Sequence, residues 1–267
     1  MAVSDRCRRI GDIRRTLRGD REGEACGNDH ARRGCCSIRQ DLGVAASARP
    51  RIGVLVPSTD TTVEEDLPRL LGDRASVHFT RMSLPAVTPI GLAHMENSAR
   101  AAVAMLADMR PDVVLFACTS GSFFQGAEHE RALAADLESI ARAPVVTTAR
   151  AMVEALARRG DRVRLRTPYT DELTSLEVAY LEHAGLTVTS SAGLGIVDDL
   201  EIAAIAPDAL RALVTGDDGA DVVMLSCTNV RALGVLPMLR DAAGLEVVTS
   251  NTASAEAVVR ALESAAC

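Results

Sequence analysis

The chain has 267 residues, a formal net charge of −7 and a hydrophobic fraction of 48%; it holds seven Cys, two Tyr, four Phe and no Trp, and its 29 Lys-plus-Arg positions are all Arg. That hydrophobic share supports a buried core and excludes wholesale disorder. The acidic balance and the shortage of aromatics exclude a nucleic-acid binder, which needs basic grooves and stacking platforms. No apolar run approaches the roughly 20 residues of a membrane span, and seven Cys without regular spacing do not read as a disulfide scaffold.

Residues 1–48 are a different material. They hold ten Arg against seven acidic residues, a net +3, which leaves −10 for residues 49–267. They show no strand or helix periodicity and are expected to form a disordered, Arg- and Cys-rich extension. They contain no apolar core of a secretory signal, and seven acids speak against a transit peptide, so a cytoplasmic protein is expected. Cys26, His30, Cys35 and Cys36 fit no standard zinc-finger spacing, and no metal site is expected there. Deleting residues 1–48 should leave activity and melting temperature unchanged; enzymatic assay and calorimetry of the shortened chain check this.

From residue 51 the pattern is strand, turn, helix, repeated. Residues 51–56 (RIGVLV) form an apolar run closed by Pro57-Ser58-Thr59-Asp60, and Glu64, Glu65 and Asp66 follow as in a first helical turn. Residues 76–81 read as a second strand and 95–109 as an Ala-rich helix. Residues 112–117 (DVVLFA) have the continuous apolar character of a buried parallel strand. Residues 127–142 are helical and 144–148 (PVVTT) form another strand. The second half then offers strands at 162–166, 186–190, 221–226 and 247–250, with helices from 171 through 181, over 207–214 and over 254–264. Such alternation predicts an α/β fold with parallel sheets flanked by helices.

The two halves superimpose in sequence. PSTD at 57–60 matches PYTD at 168–171, DVVLFACT at 112–119 matches DVVMLSCT at 221–228, and VVTT at 145–148 matches VVTS at 247–250. Three landmarks in one order at nearly constant offset imply two half-domains, 49–158 and 159–267, related by a pseudo-twofold axis with a cleft between them.

Each half ends a buried strand in Cys-Thr. Ligands of open α/β sheets bind just outside the carboxyl ends of strands, so Cys118 and Cys227 are the candidate catalytic residues, facing each other across the cleft. Thr119-Ser120 and Thr228-Asn229 follow them and are read as turns into helices, whose N-termini would lower the thiol pKa values and offer N–H groups to an anion. Ser58, Asp60 and Tyr169, in the PSTD and PYTD turns, would supply further walls. His94, His129 and His183 read as surface residues. No GxGxxG, P-loop or HExxH occurs, so neither a nucleotide cofactor nor a metal is expected. Two opposed thiols suit either racemisation by proton transfer on opposite faces or addition of one thiolate to an activated double bond, with rotation in the adduct.

At GVLVPSTDTTVEEDL, FACTSGS, TPYTDEL, LGIVDDLEIA, LSCTNVRA and VTSNTAS the chain resembles the aspartate/glutamate racemase superfamily. Within it, it is most similar to the branch of maleate cis–trans isomerase, arylmalonate decarboxylase and the ectoine-utilisation protein. Arylmalonate decarboxylase keeps only the second Cys, so decarboxylation is the less favoured activity here. The resemblance implies that Cys118 adds to the alkene, that Cys227 is its acid/base partner, and that Tyr169 holds a substrate carboxylate through its hydroxyl. It further implies that N–H groups near Thr119, Thr228 and Asn229 hold carboxylate or enolate oxygens. The substrate would be a small carboxylate, no cofactor would be needed, and a homo-oligomer remains open. The isomerase pattern has Asn where this chain has Asp60 and Asp199. Asn donates to a carboxylate, whereas ionised Asp only accepts. Either the Asp is protonated in the closed site or the substrate carries a donor such as an amine, which would favour racemisation of an amino acid derivative. Asp60 also suits a helix N-cap, and Asp199 a helix start.

Overall fold

A computed structural model describes residues 49–265. The continuous Val/Ile/Leu runs form eight strands in two parallel sheets. In the first, β1 (Arg51–Pro57), β2 (Ser76–Met82), β3 (Val113–Phe116) and β4 (Val145–Thr147) lie in the order β2-β1-β3-β4. In the second, β5 (Arg162–Thr167), β6 (Thr187–Gly193), β7 (Val222–Leu225) and β8 (Glu246–Thr249) lie in the order β6-β5-β7-β8. The sequence repeat is therefore a repeat of topology, and every strand pairs in parallel.

Alternation along the strands decides which helix covers which face. Ile52, Val54 and Val56 of β1, with Val113 and Leu115 of β3, bury one face of the first sheet. Val63, Leu67 and Leu71 of α1 (Val63–Leu71) and Ala255 and Val258 of the last helix pack onto it. The opposite face presents Leu55, Val114 and Phe116 to α2 (Pro89–Ala107) and, beyond the short helix α3 (Thr119–Phe123), to α4 (Gly126–Ala141). The second half carries α6 (Asp171–His183), α7 (Asp199–Ala203), α8 (Pro207–Val214) and α9 (Leu236–Ala243).

Two helices stitch the halves. α5 (Thr148–Ala157) follows β4 directly, its start capped by Thr147 Oγ1 accepting from the Arg150 N–H. α10 (Ser250–Ala265) follows β8 in the same way. They pack on each other, and each touches both sheets, α10 through β3, β4 and β8 and α5 through β4 and β8.

The expected strands all occur, with ends moved by one to three residues. α5 and α9 are additional to the sequence reading, and α2 and α10 begin earlier than read. For α2 the reason is local: Thr88 Oγ1 accepts from the Gly91 N–H and Pro89 fills the first helical position, where it costs no hydrogen bond. Among the described residues no helix is long and apolar enough to cross a membrane. The Cys26–His30–Cys35–Cys36 grouping lies outside the described residues.

Candidate active site

The predicted residues sit on the turns that leave β1, β3, β5 and β7, except Asp199, which follows β6, and bonds from Thr59 to Asp199, Thr61 to Asn229 and Thr119 to Ser250 join these segments across the two halves. Cys118 follows β3 and N-caps α3; its Sγ accepts from the Gly121 N–H at 3.4 Å and lies 4.0 Å from Ser120 Oγ. Position 121 must be glycine for this approach, because a Cβ there would stand 2.9 Å from Cys118 Sγ and 2.7 Å from Met95 Cε. Cys227 follows β7; its Sγ accepts from the Asn229 N–H at 3.4 Å, and its own N–H donates to Ser250 Oγ at 3.0 Å. Each thiol thus receives one backbone N–H from the turn behind it.

The pair is not symmetric in strain. Cys118 has an extended φ of −145°, whereas Cys227 has φ +92°, one of three non-glycine residues with positive φ among those described. Such a backbone costs on the order of 1–3 kcal/mol and persists only where surrounding bonds impose it. Here the imposing bonds run from Ser250 to the Cys227 N–H, from Asn251 Nδ2 to the Thr228 carbonyl at 2.9 Å, and from Ser226 Oγ to Glu177 Oε2 at 2.9 Å.

Two expectations fail here. Thr228-Asn229 form a turn but no helix starts there. The Asn229 side chain is committed elsewhere: Oδ1 accepts from the Thr61 N–H at 2.9 Å and Thr62 Oγ1 at 3.0 Å, while Nδ2 donates to the Asp199 carbonyl at 2.7 Å. Asn229 is a brace between the halves, and its own N–H is spent on the thiol. Nor is either thiol pKa lowered. Burial pushes Cys118 up to about 12 and Cys227 well above its ordinary value, with the Asp199 and Asp60 carboxyls adding to the rise; the N–H groups only offset part of it. Cys118 and Cys227 are 4% and 7% exposed, so desolvation outweighs a five-residue helix.

The remaining predicted residues form a closed ring around the thiols, apart from one. Asp60 is buried; Oδ1 accepts from the Thr62 and Val63 N–H groups at 2.8 and 2.9 Å, bracing the turn into α1, whose N-cap is Thr62 rather than the expected Asp60, and Oδ2 is without a hydrogen-bond partner. The Thr228 hydroxyl lies close enough to lower its pKa without making a geometrically complete bond. Asp199 opens α7, as expected, and its Oδ2 accepts from Thr59 Oγ1 at 2.7 Å. The buried Tyr169 hydroxyl also has no geometrically complete bond; burial raises its pKa well above the ordinary value, and the Cys227 thiol beside it, Glu177 and Cys118 add to the rise. Thr119 Oγ1 donates to Ser250 Oγ at 2.9 Å, and Ser120 is buried beside Cys118. Ser58 stands apart: it is exposed, and its Oγ accepts from the Leu84 N–H at 3.0 Å.

Ser226, Ser250, Asn251 and Glu177 of this network escaped the sequence reading, as did Thr59, Thr61 and Thr62. Glu177 is fully buried on α6, with Oε1 unpartnered, and burial raises its carboxyl to about 8. The repeat offset could have found it, because 111 residues separate PSTD from PYTD and also Asp66 from Glu177. Asp66 is the matching buried carboxyl of α1, accepting from Asn251 Nδ2 at 2.9 Å. Among the described residues no group of three or more His, Cys, Asp and Glu could hold a metal ion. His94 and His183 are exposed, and His129 Nε2 lies 2.9 Å from Glu96.

Residues 52–266 match the family model described as arylmalonate decarboxylase. The chain is 34% identical over 226 residues to a maleate isomerase of Nocardia farcinica, covering 80% of this chain and 90% of that relative. Among solved structures it is similar to a cysteine-to-alanine variant of the maleate isomerase of Pseudomonas putida S16 with maleate. That match has a TM-score of 0.76 at 28% identity and covers 80% and 92% of the two chains. It is also similar to a cysteine-to-serine variant of the Nocardia farcinica maleate cis–trans isomerase with a covalently bound succinylcysteine intermediate. There the TM-score is 0.75 at 32% identity, with 80% and 93% covered.

Proposed function

The chain belongs to the arylmalonate decarboxylase family, and from that premise we propose that it is a two-cysteine isomerase of a small carboxylate, working without a cofactor in the manner of a maleate cis–trans isomerase. The halves 49–158 and 159–267 would each contribute one thiol. The observation that carries the reading is the pair Cys118 and Cys227, buried at equivalent strand ends, each receiving one backbone N–H. Arylmalonate decarboxylase chemistry as such is disfavoured by the presence of Cys118.

Two thiols desolvated in one site cannot both ionise cheaply, so the working state is one thiolate and one thiol. The Cys118 thiolate forms a C–S bond to one alkene carbon while the π electrons move to the neighbouring carbon and its carboxylate. Cys227 gives its proton to that carbon, leaving a succinyl adduct on Cys118 and a thiolate on Cys227. The former double bond is now single and rotates. Cys227 then takes the proton back, the C–S bond breaks, and the trans alkene leaves. Tyr169 and the N–H groups of the two turns that the thiols do not take, at Thr119 and Thr228, would hold the carboxylate oxygens, where charge develops.

Proton NMR of maleate in D₂O with the full chain tests this: fumarate should appear, and no fumarate would refute the isomerase. α-Deuteration with loss of optical activity in an amino acid derivative would instead identify a racemase using the same two thiols. Iodoacetamide should inactivate the protein slowly, because both thiols are buried, and maleate should slow it further. Activity indifferent to complete alkylation of Cys118 would remove the thiol mechanism.

A further inference from the structure

The Asp60 carboxyl has its two oxygens in different situations. Oδ1 is a double acceptor, taking the Thr62 and Val63 N–H groups, so a proton on this carboxyl belongs on Oδ2. Oδ2 is buried and unpartnered, in the ring that holds Asp199, Thr228 and the two thiols. A buried polar oxygen left without a partner is costly, and one pointing into a reaction site is a place for substrate.

The charges around Asp60 disfavour its ionised form. Asp199 on α7 opposes it, and a thiolate at Cys118 or Cys227 would do the same. The two nearest cations do not reach the carboxyl: Arg81 of β2 donates to the Asp60 carbonyl and is paired with Glu64, and Arg231 donates to the Thr61 carbonyl and is paired with Glu65. Asp66, the other acidic side chain of the first turn of α1, is tied to Asn251. Among the described residues no Arg side chain bonds a side chain of the thiol ring.

We propose that Asp60 works in its protonated form, donating Oδ2–H to a carboxylate oxygen of the substrate, and that it thereby selects a carboxylate rather than an amine at that position. This rests on the isomerase reading. It reconciles an acidic ring with an anionic substrate, because a neutral carboxyl donates as an amide does.

Burial raises this carboxyl to about 6, the N–H groups pulling the other way. The protonated form is present below that pH and lost above it, so the Asp60 contribution to kcat/KM falls as pH rises. Asp60→Asn keeps an Oδ1 acceptor for the Thr62 and Val63 N–H groups and supplies a donor that does not titrate. The ratio of kcat/KM for maleate, variant over wild type, should rise about tenfold per pH unit above about 6, reaching about 100-fold at pH 8. Asp60→Asn also removes a charge that raises both thiol pKa values, so the thiol limb of each pH profile is fitted separately before the ratio is taken.

A second measurement does not need turnover. Succinate, a saturated dicarboxylate, is titrated calorimetrically at pH 7.5 in two buffers of different ionisation enthalpy. Wild type should take up close to one proton on binding and Asp60→Asn close to none. Equal proton uptake by the two proteins, or a pH-independent activity ratio, overturns the proposal. So does an α-amino carboxylate that wild type turns over and Asp60→Asn does not, since an ionised Asp60 would then be accepting from the amine. Absence of maleate turnover in wild type at every pH would refute the isomerase reading alone, and proton uptake with succinate would still decide the role of Asp60.

Discussion

Cys227→Ser should yield a protein that still bonds maleate to Cys118 but releases almost no fumarate. The reason lies in what a hydroxyl can and cannot do at that position. The carbanion left by thiolate addition is a strong base and can draw a proton from a serine hydroxyl or a water. The reverse step needs a base able to remove that proton, and an alcohol is far too weak an acid for its alkoxide to be present. The adduct should accumulate, and fumarate formation should fall on the order of 10²–10⁴-fold, the usual effect of losing a positioned acid–base group. Intact-mass spectrometry should show one added maleate, mapped by proteolysis to Cys118. Cys118→Ala should show neither adduct nor fumarate. An adduct on residue 227 in the Cys118→Ala protein, or wild-type turnover in either variant, would reverse or abolish the assigned roles. The strain at Cys227 adds a control: Cys227→Gly, which tolerates φ +92°, should match or exceed wild type in melting temperature while losing activity.

What the sequence revealed and what it hid divide along one physical line. Apolar strands such as DVVLF and DVVML are local patterns, and they were legible together with the repeat that sets Cys118 opposite Cys227. The role of Asp60 at the start of α1 was legible in part for the same reason: its Oδ1 braces the turn through the Val63 N–H, although Thr62 is the N-cap. What was hidden depends on distant residues. Thr228-Asn229 looks like a helix start, yet Asn229 is held by Thr61 and Thr62, more than 160 residues away. The thiol pKa values were misread because the sequence displays the turn after each Cys but not the burial around it. Ser250 sits at a strand end that was read correctly, but its bond to Thr119 joins the two halves and exists because α10 crosses onto the first sheet.

The largest stability effect is expected from Asp218, which precedes Cys227 in sequence but makes its bonds to Arg164 and Ser190, outside the thiol site. Alternation in β5 places Arg164 and Arg166 on one face, where both are buried against α8 and the loop after it. Arg164 is 2% exposed; its Nε and Nη2 donate to the Asp218 carboxylate at 2.8–3.1 Å, and its Nη1 donates to the Val214 carbonyl. Ser190 Oγ donates to the same carboxylate, which the Arg164 guanidinium holds well below the usual carboxylate range. Removing the carboxylate leaves a buried guanidinium unpaired and beside Arg166, whose Nη2 lies 4.0 Å from Asp218. Asp218→Ala should therefore destabilise the chain by about 3–5 kcal/mol, a melting-temperature drop of about 10 °C for a domain of this size. Because the folded-state pKa of Asp218 is depressed, the stability it supplies is present above the unfolded carboxylate pKa and is lost as pH falls below it. The gap in urea stability between wild type and variant should thus be widest at neutral pH and shrink in acid. The double variant Arg164→Met with Asp218→Leu should recover most of the loss, since a buried ion pair contributes little net stability over apolar residues of similar volume. A double variant as unstable as Asp218→Ala would mean that the packing around β5, rather than the unpaired charge, carries the cost.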